Sequence, residues 1–165
     1  MMSQRLWSPW RMAFLTQEPR TDRCPFCIDP ATAAGLPELV VHAGRLAYVV
    51  LNLYPYNNGH LLVLPYRHVA DLTELTEAEG HELMHLLVEA RRVLGRALAP
   101  GAFNVGMNLG TAAGAGIPGH LHFHIVPRWT GDTNFMPVIG DTKVLPETLA
   151  ATKARLVAAW EPADR

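Results

Sequence analysis

Cysteine is scarce in this chain: 2 among 165 residues. That excludes a small scaffold held by many disulfides and fits a reducing, cytoplasmic setting. Long apolar runs are also missing. No stretch approaches the ~20 apolar residues that a membrane-spanning helix needs, so no membrane partner is expected. The opening "MMSQRLWSPWRMAFL" is interrupted by Arg5, Pro9 and Arg11, unlike the continuous apolar core of a secretory leader. Charge of one sign is lacking too, since Lys+Arg 14 against Asp+Glu 15 leaves a formal -1. This balance offers no electrostatic footprint for nucleic acid, although local groups can still hold a small anion. There is no internal repeat and no low-complexity linker.

What is present fits one globular domain over residues 1–165, with 49% hydrophobic and 18% charged residues. "LVVHA" and "LAYVVLNL" read as strands joined at Gly44-Arg45. "NNG" at Asn57–Gly59 is a turn signal, and "HLLVLP" follows as the next strand. The long segment "LTEAEGHELMHLLVEARRVLGRAL" predicts a helix. Thr76 with Glu79 forms a capping box, Leu83, Leu87, Ala90, Leu94 and Ala97 form the apolar stripe, and Pro100-Gly101 ends it. "FNVGMN" alternates as a strand, and a second helix is expected near Glu147–Trp160. The sum is an α+β fold: a mainly antiparallel sheet with one long and one C-terminal helix.

Three motifs compete for the chemistry. "CPFC" at Cys24–Cys27 has the spacing of a redox pair, but "QEPRTDR" before it is no buried strand and Asp29-Pro30 opposes a helix starting at Cys27. A zinc half-site suits such a loop better, and it needs two more ligands from elsewhere. "HELMH" at His81–His85 matches a zinc-protease helix, with Glu82 as general base. On the helical wheel both histidines fall about 160° from the apolar stripe, toward solvent. The third motif is "GHLHFHIVPRW", which puts His120, His122 and His124 at alternate positions. Strict alternation argues a half-buried strand with its histidines on one face and Leu121, Phe123 and Ile125 in the core; Pro127 is expected to stop pairing. A neutral imidazole can attack phosphorus and split one displacement into two. The preceding "GTAAGAGIPG" offers backbone amides for phosphate, with Gly114 and Gly116 as donors.

"HLHFHIVPRW", together with "CPFC", "VVLNLYPYNNGHLLVLPYRHV" and "NLGTAAGAG" in that order, resembles the histidine triad (HIT) superfamily. The resemblance covers roughly Cys24 to Trp129, leaving an arm 1–23 and a C-terminal extension 130–165. "LWSPWR" and "GDTNFMPV" resemble the bacterial branch described as diadenosine tetraphosphate phosphorylase-like or ATP adenylyltransferase-like. The resemblance implies that His122 is the nucleophile, forming a nucleotidyl-histidine, with His124 on the phosphate oxygens and His60 behind. It implies Asn52 at the ribose, Asn108 on the phosphate side, and Phe26 and Val50 around the base. Trp129 and "GDTNF" are expected over the second half of a dinucleotide. A structural zinc on Cys24, Cys27, His68 and His120 is implied, with no organic cofactor and a homodimeric state. Hydrolytic members carry Gln before the triad where this chain has Ala115 and Gly116. The smaller loop leaves room for inorganic phosphate as second nucleophile. The favoured expectation is therefore a diadenosine tetraphosphate phosphorylase. A hydrolase of dinucleoside polyphosphates or phosphoramidates and a slow nucleotide sensor are its rivals.

Overall fold

In the computed structural model, which describes residues 24–135, 139 and 145–160, five strands form one antiparallel sheet. The arm 1–23 and the "MPV" that ends "GDTNFMPV" lie outside the described residues. The strands are β1 (Val40–Ala43), β2 (Ala47–Leu51), β3 (Leu61–Pro65), β4 (Ala102–Gly106) and β5 (Phe123–Arg128), in spatial order β1-β2-β3-β5-β4. A short helix α1 (Pro30–Ala34), the long α2 (Glu77–Leu98) and α3 (Leu149–Trp160) complete the architecture. Among the described residues, no helix is long and apolar enough to cross a membrane.

Period-two alternation divides the sheet's side chains between two faces. Val49, Leu51, Leu61, Val63 and Ile125 meet Leu83, Leu86, Leu87, Ala90 and Leu94 of α2 in the main core. The reciprocal capping box of Thr76 and Glu79 starts α2, as its sequence predicts. Ala99 at φ 48 stops it, one residue before Pro100-Gly101. Val40, Tyr48, Leu62 and Leu64 point to the opposite face, where Phe26, Ile28 and Leu36 cover them. That cover extends over the β1–β3 half of the sheet. Among the described residues, nothing comparable covers the β5–β4 half of the same face.

The register lines up one row of residues across this second face: Val40, Val50, Leu62, His124 and Gly106. Neighbouring strands lie about 4.8 Å apart, so Val50 and Gly106 are separated by about 14 Å.

Two expectations about the histidine strand need correction. The ladder begins at Phe123, later than the alternation suggested, because Leu121 N–H bonds Val69 O (2.6 Å) outside the sheet. Pro127 also pairs, opposite Phe103, instead of ending the strand. Its carbonyl faces away from β4 and accepts from Asn57 Nδ2 (3.0 Å), so the missing N–H removes no bond to β4.

The "HELMH" segment has a structural role. His81 and His85 are exposed. The Glu82 carboxylate accepts the backbone N–H groups of Leu46 (2.7 Å) and Ala47 (3.1 Å), holding the β1–β2 turn. A Cβ at Gly44 would stand 2.5 Å from Glu82 Oε1, so this turn needs glycine for room. His42, which the sequence left without a role, stacks on Trp160 at 4.5 Å. Glu82→Ala should therefore lower stability by about 1–3 kcal/mol through orphaned backbone donors. Urea denaturation measures this, and a zinc-protease role is excluded if the variant keeps the wild-type catalytic rate.

Candidate active site and metal centre

Three buried imidazoles have their tautomers set by main-chain groups. The His120 carbonyl can only accept, so His122 Nδ1, 2.7 Å away, carries the proton. The lone pair of His122 is then on Nε2. The Pro65 carbonyl likewise fixes the proton on His120 Nε2 (2.9 Å), which leaves Nδ1 unprotonated. Tyr56 N–H can only donate, so His60 accepts at Nδ1 (3.0 Å), supported by Asn52 Nδ2 (3.3 Å). His60 Nε2–H therefore donates to His124 Nδ1 at 2.9 Å. The relay ends with a proton, and so a donor, at His124 Nε2.

The rings of His122 and His124 converge edge to face, with centroids 4.9 Å apart. Burial is the main cause that depresses the pKa of His122 and of His120. His60, fully enclosed, is pushed down to about 3 by burial first and by His124 and His122 after it. A low pKa keeps imidazole neutral at physiological pH and keeps its lone pair available.

His120 turns its unprotonated Nδ1 toward the "CPFC" loop, 3.5 Å from Cys24 Sγ and 3.6 Å from Cys27 Sγ. His68 Nδ1 lies 3.2 Å from Cys27 Sγ. The ligand atoms of Cys24, Cys27, His68 and His120 all fall within 4.8 Å of one another. Tetrahedral zinc, with bonds near 2.3 Å to sulfur and 2.0–2.1 Å to nitrogen, puts neighbouring S and N ligands about 3.6 Å apart. The donor set and its spacing fit a closed four-ligand metal site. Pro65 O supplies the outer partner that orients a ligating imidazole. Burial first, and Cys24 second, push the Cys27 thiol up. A bound divalent cation reverses that preference, because a coordinated thiol is deprotonated.

The remaining expected residues divide. Phe26 sits 5.1 Å from the His122 ring and 5.8 Å from that of His120, with its carbonyl accepting from Tyr48 Oη. Val50 packs on the same cluster of Val40, Tyr48, Leu62 and Leu64 as Phe26 does. Asn52 lies beside His60, with Oδ1 accepting from Tyr54 N–H (3.0 Å). Asn108 bonds Gly114 O at 3.4 Å and lines an open cleft of about 380 Å³. The N–H of Gly114, expected to face phosphate, is committed to Thr111 O (2.9 Å). That bond closes a tight turn. Trp129 is half-buried and does not line the cleft, whereas Arg128 does.

Sequence reasoning missed Tyr56, Gly106, Arg128 and Asp132. Asp132 accepts from Arg128 Nε and Nη2 (both 2.7 Å), Asn57 Nδ2 (2.8 Å) and Trp129 N–H (3.1 Å). An Arg and an Asp at i, i+4 in "RWTGD" were the available signal for this clasp.

A model of the HIT domain matches residues 34–131. The chain belongs to the HIT family. This HIT chain is 46% identical over 164 residues to an AP-4-A phosphorylase of Mycobacterium tuberculosis (strain H37Rv), covering 95% of this chain and 84% of the relative. An asymmetrical bis(5'-nucleosyl)-tetraphosphatase of Schizosaccharomyces pombe is 34% identical over 93 residues, 56% of this chain and 50% of that protein. A hypothetical histidine triad nucleotide-binding protein from Sulfolobus tokodaii superposes with TM-score 0.67 at 25% identity, covering 84% of this chain and 92% of that one.

Two outcomes follow for the HIT site. Cobalt(II) titration should give thiolate-to-metal absorption of tetrahedral type, saturating near one equivalent. Cys27→Ser or His68→Ala should weaken binding beyond the roughly 10–100-fold that losing an outer partner costs. The second outcome concerns pH. His60 is held below its unfolded value of about 6.5, so the unfolded chain binds the extra proton between that value and about 3. Its contribution to stability is complete above pH 6.5 and declines as pH falls, by up to about 1.4 kcal/mol per unit. Denaturation at pH 7, 6 and 5 should show that slope, and His60→Gln should make it shallower.

Proposed function

We propose that this HIT chain is a nucleotidyl-transferring enzyme acting on dinucleoside polyphosphates, with diadenosine tetraphosphate as substrate and phosphorolysis as the reaction. The observation that carries the reading is the neutral His122, whose Nδ1–H is tied to His120 O, leaving the Nε2 lone pair for attack. The 46% identity to an AP-4-A phosphorylase supports the choice of substrate.

His122 Nε2 attacks the α-phosphorus of one adenosine half, and the bond to the bridging oxygen breaks. ATP leaves, and adenylyl-His122 remains. His124 Nε2–H, held by the His60 relay, donates to the phosphate oxygens, with the Gly116 amide beside it. Inorganic phosphate then attacks the same phosphorus, releasing ADP and restoring His122. The polyphosphate leaves as an anion and needs no acid. Phe26 and Val50 flank the base, Asn52 serves the ribose and Asn108 the phosphate side. Nothing larger than alanine stands at 114–116, which supports entry of phosphate where other members place a longer side chain.

Zinc is the metal that the Cys24, Cys27, His68 and His120 donors suit. Four protein ligands leave it no open position for an activated water, so its role is structural. The exposed edge of β4 supports a homodimer through strand pairing. Two thiols kept for a metal support residence in a reducing cytoplasm.

The test is product analysis of diadenosine tetraphosphate incubations, with and without inorganic phosphate. ATP plus ADP formed only with phosphate, and lost in His122→Asn, is the expected result. AMP plus ATP without phosphate makes the protein a hydrolase. Tight nucleotide binding with no product makes it a sensor.

A further inference from the structure

Gly106 is a poor choice for a strand by conformational preference, and in a strand such a residue often marks a close approach by a ligand. It stands opposite His124 in the β4–β5 ladder and shares its face. Among the described residues, a Cβ built there meets nothing within 4 Å. Its backbone does not require glycine, because its φ is not positive. Among the described residues, no fold constraint around Gly106 explains the missing side chain. What it leaves is open space beside His124.

That space is the cleft of about 380 Å³ on the uncovered half of the sheet, within the size range of small-molecule sites. Tyr56 forms one wall. Its ring is near-parallel to that of His124 (20°, 5.9 Å) and packs on His60 at 4.7 Å, yet the residue stays 52% exposed. One part of the ring is fixed on imidazoles and the rest is bare. Among the described residues lining the cleft, Arg128 is the one cation. Its side chain is 39% exposed while its clasp partner Asp132 is 10% exposed, so the positive end is the one presented.

We infer that this cleft seats the leaving nucleotide: a nucleoside polyphosphate whose phosphates pass Gly106 toward Arg128 and whose base stacks on Tyr56. The inference rests on the proposed nucleotidyl transfer and adds the position of the half that departs. The row Val50, Leu62, His124, Gly106 is then a track across the strands. One nucleoside lies at the Phe26-covered end, the reacting phosphorus near His122 and His124, and the other nucleotide at the open end. Arg128 and Tyr56 contact the departing half, while Asp132 is a positioning residue acting through Arg128.

The experiment compares two substrates that share the adenylyl group and differ in what leaves: diadenosine tetraphosphate, which releases ATP, and adenosine 5'-phosphoramidate, which releases ammonia. Gly106→Leu fills the cleft and Tyr56→Ala removes its wall; circular dichroism and size-exclusion chromatography check fold and oligomeric state. For each variant, kcat/KM for the dinucleotide should fall at least tenfold more than that for the phosphoramidate. Tyr56→Phe should restore most of the loss. Equal loss on both substrates, or none on either, overturns the inference while leaving the transferase reading intact. If Gly106→Leu fails to fold, Tyr56→Ala decides alone. If wild type turns over neither substrate, the transferase reading fails and this inference with it.

Discussion

The site depends on how His120 is held. Its ring is fixed by the Pro65 carbonyl and faces two cysteine sulfurs, while its own carbonyl accepts a hydrogen bond from His122 Nδ1–H. One residue thus joins the metal-binding group to the orientation of the candidate nucleophile. Phe26, between the two cysteines, adds a second link by packing on both rings. A metal bound here would need no contact with substrate to influence the proposed reaction, because it would hold the residue whose carbonyl orients His122.

The sheet supplies the rest of the geometry. Four strands contribute to the row from Val50 to Gly106, so register alone decides which side chains lie along it. A one-residue slip of β5 would turn His124 into the core and Ile125 out. The full burial of Ile125 and Leu61 opposes that slip. Hydrophobic packing on the α2 face therefore positions the chemistry on the other. The β1–β2 turn is braced from that same helix by Glu82.

The elements with strong local signals were readable in the sequence. The capping box at Thr76 and Glu79, the apolar stripe of α2 and the solvent placement of His81 and His85 all follow from periodicity and side-chain chemistry. Cys24, Cys27, His68 and His120 were assembled through the family resemblance, and the fold brings them together. The Arg128–Asp132 half of the clasp is local, at i, i+4, but the Asn57 bond to Asp132 depends on a loop folding back toward the turn before β3, which no local pattern encodes. The commitment of Gly114 N–H depends on a turn that its loop's glycines permitted without specifying. Pro127 misled because a proline in a strand removes a bond on one side only, and the sequence does not say which side has a neighbour.

The site's electrostatics impose a choice between attraction and reactivity. A polyphosphate would be drawn most strongly by a cluster of imidazolium ions. Protonated imidazole has no lone pair to attack phosphorus. Burial settles the choice here, depressing the pKa of His60, His120 and His122 together. Attraction must then come from groups that stay donors while neutral, and from charge placed outside the buried cluster. On the proposed reading, the relay to His124 Nε2–H would provide the first, and Arg128, clasped by Asp132 on the cleft wall, the second. Separating cation from candidate nucleophile would let the same few strands both hold an anion and attack it.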